Sequence, residues 1–121
     1  MAARPITMTW INKTDVELLI TNFNHQHGTQ PVVQSGPNPI PVGGQAAVYA
    51  ENTGMVGPQG NYTLTFQDGS GRAFNVSYNH PYGTGETYVN VQPPDGYSYS
   101  MTQNHLAHHD AYCTIELLKL A

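Results

Sequence analysis

In NYTLTF, residues 61–66, Tyr62, Leu64 and Phe66 alternate with polar neighbours, and in FNVSY, residues 74–78, Phe74, Val76 and Tyr78 do the same. A period of two places each set on one face of an extended strand. Between the two runs, Asp68-Gly69-Ser70-Gly71 supplies residues that tolerate positive φ, as a tight hairpin requires. Comparable strand signals recur over 6–12, 15–22, 45–51, 61–67, 72–78, 86–92, 97–103 and 111–119. No segment of useful length shows a helical period. Turn-forming groups separate the runs, among them Asn12-Lys13-Thr14-Asp15 and Pro93-Pro94-Asp95-Gly96. Short strands punctuated in this way predict an all-β chain, an antiparallel β-sandwich of about eight or nine strands; a barrel satisfies the same pattern. Residues 23–44 are too rich in Gly, Pro and Asn for a central strand, and Val32 with Val33 suits a short edge piece.

A chain of 121 residues is expected to form a single domain, 1–121, with an ordinary core. Only 10% of its residues are charged, and the net charge is −4. Its polar surface is therefore built from Asn, Gln, Ser, Thr and Tyr. Arg4, Lys13, Arg72 and Lys119 are scattered, which argues against nucleic acid and against a polybasic membrane patch. Cys113 is the single cysteine, so neither an internal disulfide nor a cysteine-rich zinc site can form. The opening MAARPITMTW lacks the apolar core of a signal peptide, and no run has the length of a membrane-spanning helix. The expectation is a chain made in the cytoplasm without a signal peptide.

Five of the six histidines fall into two groups, His25 with His27 and His105, His108 and His109 beside Asp110. Imidazoles at these spacings suit a metal, yet no HExxH-type motif places a general base, and a polar loop explains them equally. His105, His108 and His109 are candidates only, with no metal site assigned and no cofactor implied. Several imidazoles together would also charge near pH 6 and could loosen a loop or dock an acidic partner. Catalysis by a nucleophile finds little footing. Cys113 precedes Thr-Ile-Glu-Leu-Leu in an expected strand and reads as an inert buried thiol, and no G-x-S-x-G occurs. The eight tyrosines say more. Tyr82 lies in a Pro-Gly loop, and Tyr97 and Tyr99 adjoin Pro-Asp-Gly, where exposure is expected. A ring with a polar tip suits a bilayer interface, a protein surface or a sugar.

Three stretches carry a resemblance to a known family: TWINKTDVELLI (9–20), VYAENTGMVGPQGNYTLTF (48–66) and, most specifically, VSYNHPYGTGETY (76–88) with its Pro81-Tyr82-Gly83. They resemble the aegerolysins, and most of all the small component of bacterial binary insecticidal toxins. Tyr78 and Tyr82 stand where fungal members carry tryptophans, and Val56 where they carry a carboxylate. The likeness fades after Thr102. It implies a non-enzymatic β-sandwich, aegerolysin/actinoporin-like, that binds a membrane lipid or gut receptor of a target cell and acts outside the producing cell with a larger pore-forming partner. Homo-oligomers are a further possibility for weak individual contacts. The residues expected at the recognition surface are Tyr78, His80, Tyr82 and the Gly-rich loop 54–60 with Met55, together with Tyr97 and Tyr99. The alternative is a lectin-like module that stacks tyrosine rings on sugars.

Overall fold

The computed structural model describes residues 4–52, 57–82 and 85–121. Nine strands follow one another: β1 (Ile6–Lys13), β2 (Leu18–His27), β3 (Val32–Ser35), β4 (Gln45–Ala50), β5 (Gln59–Phe66), β6 (Ala73–Asn79), β7 (Tyr88–Gln92), β8 (Tyr97–His105) and β9 (Ala111–Lys119). They form a five-stranded sheet ordered β3-β4-β1-β9-β8 and a four-stranded sheet ordered β2-β5-β6-β7. The expected all-β sandwich is therefore what the chain forms. All pairings are antiparallel except one: β1 lies parallel to β9, with Ile6 opposite Ala111 and Lys13 opposite Leu118.

The alternation drives the packing. Ile6, Met8 and Trp10 of β1, Tyr62, Leu64 and Phe66 of β5, and Phe74, Val76 and Tyr78 of β6 all point inward and are buried. Burying side chains of this size contributes about 1.5–3 kcal/mol each. The Trp10 indole N–H donates to the Tyr62 hydroxyl at 2.8 Å, which donates in turn to Met8 Sδ at 3.2 Å. Two polar rings thus cross the core without an unpaired group.

Turns fall where the sequence placed them. The β5–β6 hairpin turns through Asp68–Gly71, with Gly69 and Gly71 at positive φ. The Asn12–Asp15 turn instead carries the chain from one sheet to the other. Buried Asn12 organises it, accepting from the Thr14 amide and donating to the carbonyls of Val16 and Ile40. β2 starts later than expected and runs five residues beyond 22, to His27. Its register slips twice against β5, and Asn22 sits at φ 58°. These bulges break the alternation that would have marked residues 23–27 as strand. Val32 and Val33 do form an edge strand, β3.

Candidate functional site

One end of the sandwich gathers the ends of β2, β4, β6 and β8 and the starts of β1, β5, β7 and β9. All six histidines lie there, on β2, after β6, and at the β8–β9 connection. His80 ties the two sheets together. Its ring sits 2.7 Å from Thr87 Oγ1 through Nδ1 and 2.7 Å from the His109 carbonyl through Nε2. A carbonyl only accepts, so Nε2 carries the proton and, in the neutral ring, Nδ1 accepts from the threonine hydroxyl. Burial lowers the His80 pKa, and the Arg4 and His109 charges act in the same direction. The bond to the His109 carbonyl and the charge of Asp110 oppose the shift. The neutral ring is thus the native form at neutral pH.

The loop that follows His80 is pinned from outside. Arg4 Nε donates to the Pro81 carbonyl at 2.8 Å, and the guanidinium lies 5.0 Å from the centre of the Tyr82 ring. The Tyr82 hydroxyl donates to the Asn52 carbonyl at 3.0 Å. Behind the loop, the His80 amide donates to the Pro58 carbonyl at 2.9 Å. Gly57 packs so closely there that a Cβ would fall on the His80 carbonyl. Arg4, Asn52, Gly57, Pro58 and residues 80–82 are thereby locked into one surface. Beside it opens a cleft of about 430 Å³ bordered by Arg4, Glu86, Thr87, Asn104 and Leu106.

The residues expected at a recognition surface separate in the structure. Tyr82 is half-buried at this end, with its ring held as described. Tyr78 and His80 are 0% exposed. Neither presents its side chain at the surface, which corrects the expectation for both. They continue the inward parity of Phe74 and Val76, so the alternation itself carried the signal. The Tyr78 hydroxyl is buried with no partner among the described residues, and burial pushes its pKa up to about 12. Tyr97 was expected to be exposed and is buried instead, edge-on to Phe66 with ring centres 4.8 Å apart. Its hydroxyl donates to Asp15 at 2.8 Å, which also holds Lys119. Tyr97 opens β8 and His105 closes it. A nine-residue strand spans about 26 Å, so Tyr97 belongs to the opposite end of the molecule. Tyr99 is exposed at the rim of a separate groove. Met55 lies outside the described residues.

His105 is stacked on Tyr112, with ring centres 4.4 Å apart and planes 9° apart, and His108 tilts against its other side at 5.3 Å. His109 pairs with Asp110 at 2.9 Å. Among the described residues no three His, Cys, Asp or Glu side chains are grouped to hold a metal ion. Cys113 is buried as expected, and burial pushes its thiol up to about 12. Sequence reasoning passed over Arg4, Asn52, Thr87 and Tyr112. Arg4 and Asn52 lie far along the chain from Pro81 and Tyr82, while Thr87 and Tyr112 meet His80 and His105 across a strand connection, and no local pattern marks such pairings.

No family model matches the chain, and neither does any curated protein sequence. Solved structures do. The RahU protein, crystallised in complex with a TRIS molecule, is similar over 98% of this chain and 96% of its own, with a TM-score of 0.75 at 15% identity. IP-1A from Alcaligenes faecalis is similar over 98% of this chain and 92% of its own, with a TM-score of 0.67 at 12% identity. At these identities the likeness is one of fold.

Proposed function

We propose that the protein is a non-enzymatic toxin component. It binds a lipid or receptor on a target-cell membrane through its histidine-bearing end and acts with a larger pore-forming partner, in the manner of the insecticidal aegerolysins. The observation that carries this reading is the pinned Pro81-Tyr82 turn. A half-buried tyrosine is held on a rigid platform by Arg4, Asn52 and the buried His80. A ring fixed before binding loses little conformational freedom on contact, which favours affinity. The Tyr112–His105 stack adds a second aromatic surface at the same end, and an aromatic body with a polar tip suits the head-group layer. Tyr78 and His80 support the platform from within.

The test is binding to insect midgut membrane vesicles and to sphingolipid-containing liposomes, followed by sedimentation. Tyr82→Ala and Tyr112→Ala should each weaken binding by about ten-fold, equivalent to one lost aromatic contact of about 1.4 kcal/mol. Tyr99→Ala, at the groove away from this end, should leave binding to sphingomyelin liposomes, which carry no sugar, unchanged. Equal binding by wild type and the Tyr82→Ala/Tyr112→Ala double variant would remove the histidine-bearing end from the recognition surface.

A further inference from the structure

The outer face of the four-stranded sheet presents a second surface with a different chemistry. Cross-strand register aligns Asn61, Ser77 and Asn90 in one row and Thr63, Asn75 and Gln92 in the next. These six side chains line a groove of about 580 Å³, and Tyr99 from β8 closes one side of it. A polar outer face is ordinary for an antiparallel sheet, but three features go beyond that. The face is concave and has an aromatic wall, with Tyr99 39% exposed. None of the strands β2, β5, β6 and β7 contains Asp, Glu, Lys or Arg. Among the described residues, the side chains of Asn61, Asn75, Ser77, Asn90 and Gln92 make no hydrogen bond within the protein.

We propose that this groove binds a neutral saccharide. Each amide offers an acceptor and two donors in one plane, and a hydroxyl offers both roles. Such groups match adjacent sugar hydroxyls, each of which also donates and accepts. Neighbouring strands lie about 4.8 Å apart, so a row repeats its hydrogen-bonding groups at roughly the length of one pyranose unit. The Tyr99 ring supplies the apolar contact that the C–H face of a sugar needs. Phosphate, sulfate and carboxylate ligands gain most from Arg or Lys forks, and the groove lining has none. Its volume falls within the range of small-molecule sites.

The experiment uses the full chain, labelled with ¹⁵N, and titrates it with cellohexaose, laminarihexaose, chitohexaose and mannohexaose. At least one should shift the side-chain amide signals of Asn75, Asn90 and Gln92. Tyr99→Ala and the double variant Asn75→Ala/Asn90→Ala should each weaken that binding by about ten-fold with Tm unchanged, as expected for surface contacts. Vesicles carrying glucosylceramide, compared with plain phosphatidylcholine vesicles, separate a membrane-borne sugar from a free one; groove-dependent binding to either supports the site. The proposal fails if no neutral probe binds more tightly than about 10 mM. It fails equally if the variants bind as wild type does, or if a heparin fragment displaces the neutral sugar from the same amides.

Discussion

Tyr78 brings a hydroxyl into the core beside Gly60, where an added Cβ would lie 2.6 Å from that oxygen. The hydroxyl finds no partner among the described residues. Its desolvation is therefore uncompensated, a cost of about 1–3 kcal/mol. Tyr78→Phe keeps the ring contact with Tyr62 and removes the orphaned group. Urea denaturation should show a variant as stable as wild type or up to about 1 kcal/mol more stable, with vesicle binding unchanged. His80 leads to a prediction with a defined sign. Its folded pKa is lowered, so as pH falls the unfolded chain takes up the proton first. The stability that the neutral ring contributes is complete above about pH 6.5 and is lost as pH falls through the folded value. Between pH 8 and pH 5 wild type should lose more stability than His80→Asn in the same denaturation assay. Equal losses would show that the ring's titration is not coupled to folding.

At the scale of elements, the β4–β5 connection meets the turn after β6 at Asn52, Gly57 and Pro58, and Gly57 lies directly against the His80 carbonyl. Gly57→Ala must force backbone apart, not merely a flexible side chain. A loss of about 2 kcal/mol or more is expected by thermal unfolding, since overpacking of this kind costs 1–3 kcal/mol even where neighbours can move. The strands themselves were largely legible. β9 matches its sequence reading at both ends, and β5 and β6 differ from theirs by one or two residues, because their alternation is uninterrupted. Residues 23–27 of β2 were not, because bulges at Asn22 and near Gln26 destroy the period that reveals a strand. The turn chemistry was legible at Asp68–Gly71 and Gly96, where glycines take positive φ. The candidate site was less so. Parity already assigned Tyr78 to the core with Phe74 and Val76, but the resemblance drew it to the surface. Tyr97 looked exposed beside Pro-Asp-Gly, and its partners Phe66 and Asp15 come from remote parts of the chain.

Across the whole molecule, the two proposed surfaces are an end and a face. The histidine-bearing end holds Tyr82 and Tyr112, and the groove on the four-stranded sheet holds Asn75, Asn90 and Tyr99. Among the described residues the two groups share no hydrogen-bond partner, so their substitutions should act independently. Combining Tyr82→Ala with Tyr99→Ala should weaken binding to sugar-free sphingomyelin vesicles as Tyr82→Ala does alone, and oligosaccharide binding as Tyr99→Ala does alone. Coupling above about 0.5 kcal/mol in either assay would mean that the two surfaces form one site. The parallel pairing of β1 with β9 bears on how such a chain is made. β1 lies in the middle of its sheet, flanked by β4 and β9, so one of its two edges stays open until β9 has been synthesised. During translation Ile6, Met8 and Trp10 wait beside an unpaired edge, a state prone to sticking to other chains. Slow synthesis of β9 prolongs that exposure, and yield in a heterologous host should track the speed at which it is delivered.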